Sequence, residues 1–156
     1  AKTNREHLIR AKHVVFANGF EGQSWLKERV VDLDNTYALV SQPLSDLGGW
    51  DCKWMLWEAR DPYLYLRITA DHRLLAGGED DRHHCPVVRD RSLELKANAI
   101  ESKARELLPH LKWEREFCWA GTFGKPRAGL GYIGQSPESP RCYFALGFGG
   151  NGITFS

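Results

Sequence analysis

Apolar residues fall along this chain in short runs separated by turn residues, and one stretch carries a long helical period. Between residues 90 and 108, Leu93, Ala97, Ile100, Ala104 and Leu107 recur alternately four and three residues apart, with Leu111 continuing the row. That spacing tracks one face of a helix. Asp90 or Ser92 can cap its start, Glu94 suits the first turn, and Pro109 stops it.

The other apolar runs are too short for helices and predict strands. Val14-Val15-Phe16-Ala17 ends at Asn18-Gly19, residues 37–40 end before Pro43, and residues 55–58 precede an Asp61-Pro62 turn. Residues 113–120 form a longer candidate ended by Gly121, Tyr132-Ile133 a brief one, and Cys142 to Leu146 the last. Residues 1–9 are polar and expected to fray, residues 25–33 suit a brief helix or an irregular segment, and residues 47–53 and 121–134 read as loops.

Residues 63–68 alternate most clearly. Tyr63, Tyr65 and Arg67 share one face, and Leu64, Leu66 and Ile68 share the other. Asp71-His72 supplies a turn, residues 73–76 run back as the partner strand, and Gly77-Gly78 closes the hairpin. The class is α+β: a mostly antiparallel or mixed sheet with one main packed helix. Residues 14–17 and 143–146, short and glycine-terminated at opposite ends of the chain, suggest a second, incomplete unit.

Composition narrows the function classes. With 156 residues, 42% of them hydrophobic, the chain can bury a core. A net charge of +1, with basic and acidic residues interspersed, gives no stripe for nucleic acid. No apolar run is long enough to span a bilayer. Cys52, Cys85, Cys118 and Cys142 form no CxxC pair, so free thiols in a reducing cytoplasm are the expectation. His83-His84-Cys85 invites a metal, but adjacent residues rarely converge on one ion, and a solvated loop before Pro86 is the reading taken.

After the last strand, Gly147, Gly149, Gly150 and Gly152 crowd together. Strand, glycine loop and helix start together let backbone N–H groups approach an anion. The run nearly spells GxGxxG, but it lacks the following helix and the later acidic residue of a dinucleotide fingerprint. A glycine loop reaching the end of the chain at Ser156 gives the expectation of a piece of something larger.

Four segments, in order and spacing, resemble the FAD-dependent oxidoreductases of the D-amino-acid oxidase, glycine oxidase and sarcosine oxidase type. They are Ala11-Lys12-His13-Val14-Val15-Phe16-Ala17-Asn18-Gly19, the hairpin from Leu64 to Gly78, Trp119-Ala120-Gly121-Thr122-Phe123-Gly124, and Tyr132-Ile133-Gly134 through Ile153. The resemblance implies a C-terminal piece: the end of a first FAD-domain segment (1–20), a substrate-binding domain (21–119) and a truncated return into the FAD-binding domain (120–156). It implies FAD in the full-length parent and none in this piece alone, because the pyrophosphate loop of the family lies in an earlier segment. The partners implied are the remainder of the FAD-binding domain in cis and a small amine or amino-acid substrate.

In that family the glycine loop lies near the flavin ring. Gly149, Gly150, Asn151 and Gly152 would then present backbone N–H groups to the negative charge left by two-electron reduction. Hydride moves from the carbon bearing the amine to FAD, which needs orientation rather than an acid–base triad. Many relatives carry a substrate-binding arginine where this chain has Phe123, and an Asp-Gly-Leu-Pro-x-Ile-Gly segment where it has Ala128-Gly129-Leu130-Gly131-Tyr132-Ile133-Gly134. Tyr65 and Arg67 are the substrate-binding candidates, with Arg67 standing in for the arginine absent at Phe123; pairing with a surface acid is the other reading of Arg67. The alternative for the whole chain is a non-enzymatic small α+β binding or interaction domain, whose aromatic residues pack a core and whose glycines turn hairpins.

Overall fold

The computed structural model describes residues 1–82 and 85–155. They form two compact units, Asp34–Thr122, and Ala1–Leu33 with Phe123–Ser156. Among the described residues there are eight strands, one α-helix and two 3-10 helices.

Strands β2 (Val31–Pro43), β3 (Met55–Trp57), β4 (Leu64–Ile68), β5 (Arg73–Asp81) and β6 (Arg115–Pro126), most of whose residues lie in the Asp34–Thr122 unit, make a five-stranded sheet in the order β3-β4-β5-β2-β6. The pairs β3–β4, β4–β5 and β2–β5 are antiparallel. β4 shows the expected alternation: Leu64, Leu66 and Ile68 are buried, Tyr65 is half-buried and Arg67 exposed. The buried row joins Leu39, Leu74, Ala76, Ile100 and Ala104 in one core. Each large side chain taken out of water there contributes about 1.5–3 kcal/mol.

Helix α1 (Pro86–Leu107) covers that core with Ala97, Ile100 and Ala104 fully buried and Leu93 packed beside them. It begins four residues before Asp90. Pro86 occupies the first turn, where its missing N–H costs nothing, and Cys85 rather than Asp90 or Ser92 is the N-cap. The stripe also ends differently: Leu107 is 42% exposed and Leu108 only 7%. Four residues advance a helix by about 400°, so position 108 lies nearer the azimuth of Ala104 than position 107 does.

In this five-stranded sheet, three strands outrun the sequence expectation. β5 continues through Gly77 and Gly78, which pair with β4 on one side and β2 on the other instead of closing the hairpin. Gly78 has φ +139, and a register shift between Asn35 and Tyr37 marks an irregularity in the facing strand. A Cβ on Gly78 would overlap the Tyr63 carbonyl oxygen. β6 passes through Gly121 to Pro126. β2 runs from Val31, so the segment expected to be helical or irregular is partly strand, and the helical turn lies earlier, at Gly19–Trp25.

β2 is hard to read locally because its buried polar residues find partners far along the chain. Asn35 donates to Asp81 (3.2 Å) and accepts from the Thr122 hydroxyl (2.7 Å), and the Tyr37 hydroxyl donates to Asp81 (2.9 Å). Burial, with the Asp81 carboxylate reinforcing it, pushes the Tyr37 hydroxyl from the ordinary 10.0 up to about 12. The folded state therefore holds a proton that the unfolded state has lost in this window. The resulting stabilisation is present below pH 10.0 and disappears as pH rises through about 12. Urea unfolding between those pH values should show falling stability, with a shallower fall for Tyr37→Phe. Parallel slopes would show that Tyr37 is not the group responsible.

In the other unit, β1 (Val14–Phe16) lies parallel to β8 (Ser139–Leu146), which pairs antiparallel with β7 (Tyr132–Ser136). The two runs from opposite ends of the chain are thus hydrogen-bonded neighbours. Val31, Phe144 and Leu146 form their core, and Phe16 stacks on Phe144 at 4.9 Å. The N-terminal residues are tied: Lys2 bridges Leu8, and the Ala1 ammonium donates to the Ile9 carbonyl at 2.8 Å.

Candidate functional site

β4 carries both substrate-binding candidates on the sheet face opposite the core. Sheet register sets Trp57, Tyr65 and Gly77 in one row and Met55, Arg67 and Leu75 in the next. Tyr63 and Tyr65 lie nearly parallel with centroids 6.2 Å apart, and Trp57 meets Tyr63 edge-on, also at 6.2 Å. Arg67 is exposed beside these rings, and among the described residues it makes no hydrogen bond or ion pair. The reading in which Arg67 pairs with a surface acid therefore lacks a partner among the described residues.

The hydroxyls on this face are held protonated. Burial raises the Tyr65 pKa first, the Asp80 charge raises it further, and Arg67 pulls it down. Tyr63 is raised by burial first and by the Asp80 charge next. A neutral phenol beside an unneutralised guanidinium is a donor pair suited to a carboxylate.

The glycine run lies in the other unit. β8 ends at Leu146, and Gly149–Phe155 forms a short 3-10 helix, so the helical turn starts inside the run. These glycines divide by what requires them. A Cβ on Gly147 would come within 2.7 Å of Val31 and its φ is +74, so packing and the backbone turn both account for that glycine. Gly149 has φ +58, which the turn explains. A Cβ on Gly150 would meet nothing within 4 Å, and one on Gly152 only Phe148 at 3.8 Å. The fold does not need glycine at positions 150 and 152, and the backbone at Gly150 is open.

A family model described as FAD dependent oxidoreductase matches residues 1–156. The chain belongs to this family. Among solved structures it is similar to an iminodiacetate oxidase from Chelativorans sp. BNC1 (15% identity, TM-score 0.77) and an L-proline dehydrogenase from P. horikoshii (21%, 0.76). Each match covers 97% of this chain and 41% of that one. A glycine oxidase from Geobacillus kaustophilus matches at 20% identity and TM-score 0.63, over 92% of this chain and 38% of its own. The chain thus spans about two fifths of the length of the first two structures, and at these identities the likeness is one of fold. No curated protein sequence matches it.

For an FAD-dependent oxidoreductase the glycine run has a compatible shape. Backbone left bare at Gly150, where the fold needs no bareness, fits a close approach by a flat cofactor. Tyr65 and Arg67 are brought together on one strand, two residues apart, whereas Gly149, Gly150, Asn151 and Gly152 belong to the other unit. No cluster of three metal-ligating side chains lies among the described residues; His83 and His84 fall outside them. The four cysteines are free thiols. No α-helix among the described residues is long and apolar enough to cross a membrane.

Sequence reasoning missed Trp57 and Gly77 as neighbours of Tyr65. The signal lay in hairpin arithmetic: Ile68 faces Leu74 across the turn, so Tyr65 must face Gly77. Reading Gly77-Gly78 as the end of the strand hid it.

Proposed function

We propose that this chain is part of a flavoprotein that oxidises a small amine or amino acid by hydride transfer to FAD. Residues 1–20 and 120–156 would belong to its FAD-binding domain and residues 21–119 to its substrate-binding domain, a piece that takes in nearly all of the compact Asp34–Thr122 unit. The observation that carries the substrate class is the Arg67 guanidinium, without an acid partner among the described residues, beside the protonated Tyr65 hydroxyl. Arg67 would hold the substrate carboxylate through paired N–H donors, and Tyr65 would supply a rigid wall and one further donor.

FAD, when bound, supplies the two-electron acceptor. Gly149, Gly150, Asn151 and Gly152 would contribute backbone N–H groups toward it, with Gly150 allowing the closest approach. The chain's own task is then to orient the substrate and to exclude water. Free thiols and an ordinary composition accord with a cytoplasmic setting.

The test is anaerobic mixing of the flavin-loaded full-length protein with amines and amino acids. Bleaching of the flavin absorbance by a member of either class is the expected result; no bleaching by any of them overturns the reading. A second expectation concerns these 156 residues alone. They contain no dinucleotide fingerprint, so after incubation with excess FAD and gel filtration their visible spectrum should show no retained flavin. Stoichiometric flavin would contradict that.

A further inference from the structure

We propose that Gly77 is the positioning residue for Tyr65, and that its missing side chain seats the ring across β5 so that the Tyr65 hydroxyl serves the Arg67 face. This rests on the substrate reading above and deepens it.

Tyr65 and Gly77 are register partners, and the tyrosine ring occupies the space a side chain at position 77 would fill. A Cβ built on Gly77 would overlap the Tyr65 hydroxyl oxygen and Cζ and lie 2.8 Å from Cε1. Real Cβ atoms do not make such contacts, so one of the two groups must shift. The strand backbone is held on both sides, by β4 and by β2, whereas the ring is the free end of a side chain. Gly77 has no positive φ, so alanine there meets no backbone strain. Its whole effect is to lift the Tyr65 ring off the sheet.

Gly78 gives the contrast. It needs glycine for its φ of +139 and for the Tyr63 carbonyl, both matters of the fold. Only Gly77 is emptied by a side chain that points to the proposed site. Seating the ring has an electrostatic sign as well: burial is the largest cause raising the Tyr65 pKa, so a lifted ring must titrate closer to an ordinary tyrosine.

The experiment crosses Gly77→Ala with Tyr65→Ala. In the full-length protein, alkaline absorbance titration should show one tyrosine moving to lower pH in Gly77→Ala and no corresponding shift when Tyr65 is already alanine. In the flavin-loaded full-length protein, Gly77→Ala should raise KM for a carboxylate-bearing amine by roughly tenfold, about 1.4 kcal/mol, with a smaller change in kcat. The same substitution in the Tyr65→Ala background should leave KM where Tyr65→Ala put it. An unmoved titration, or equal KM effects in both backgrounds, overturns the positioning role. A titration that moves while KM stays constant also overturns it; if Arg67→Met still weakens the same substrate, the substrate reading survives that outcome.

Discussion

Replacing Ile100 by alanine is expected to lower the unfolding free energy of the chain by about 2–5 kcal/mol, the range for a large aliphatic side chain removed from a core. Ile100 is fully buried and sits between Ala97 and Ala104 on the same helix face, so its near neighbours on α1 are too small to fill the space it leaves. Across the interface stand Leu64, Leu66 and Leu74, held in strands that cannot collapse toward the helix without breaking register. Leu107→Ala is the control. It belongs to the same sequence stripe but is 42% exposed, and its replacement should change stability by no more than about 0.5 kcal/mol. Urea unfolding followed by far-ultraviolet circular dichroism measures both. Similar losses for the two variants would mean that α1 does not present the Ala97–Ile100–Ala104 face to the sheet.

That pair of variants also marks how far the fold could be read from the residues. The period of α1 is local, and it located the buried face correctly through Ala104. It failed at the next step because positions 107 and 108 both continue the apolar pattern, and the choice between them depends on where the helix ends. β4 was legible because one face is core and the other is not, so its side chains alternate. β2 was only partly legible, since Asn35 and Ser41 are buried polar residues that interrupt an apolar run. Their partners lie far away in sequence: Asn35 bonds Asp81 and Thr122, and the Ser41 hydroxyl accepts from the Leu74 amide at 2.9 Å. A local window prices such residues as exposed, whereas the folded chain satisfies their hydrogen bonds.

Glycine misled in a different way. Gly77, Gly78 and Gly121 all resemble strand ends, because glycine is usual where chains turn. In the structure each lies inside a strand, and the reasons differ: room for a tyrosine ring at 77, a left-handed backbone angle at 78, and a position at 121 where a Cβ would meet nothing within 4 Å. None of these reasons is visible without the neighbouring strand. The same limit applies to the candidate site. Tyr65 and Arg67 stand out in the sequence as the polar face of a two-sided strand, but the row that completes that face comes from β3 and β5.

Arg67→Met in the full-length oxidoreductase is expected to separate substrates by whether they carry a carboxylate. Methionine keeps much of the aliphatic stem and removes the guanidinium, so packing against the neighbouring rings changes less than charge does. Arg67 is exposed and makes no ion pair or hydrogen bond among the described residues, so its removal should orphan no buried acid and cost little stability. That makes the functional readout clean. Removing a charge-assisted hydrogen bond to the bound substrate should weaken kcat/KM by about 1.5–3 kcal/mol, roughly 10- to 150-fold, for an amine that bears a carboxylate. The matched amine without the carboxylate never made that bond and should be unaffected. Raising the salt concentration should shrink the difference between the two substrates in the wild type and leave the Arg67→Met ratio nearly constant, because an exposed guanidinium is screened and a thioether is not. Equal loss on both substrates would make Arg67 a structural residue of the strand. No loss on either would place the carboxylate elsewhere and leave the Trp57, Tyr63 and Tyr65 rings without their proposed ligand.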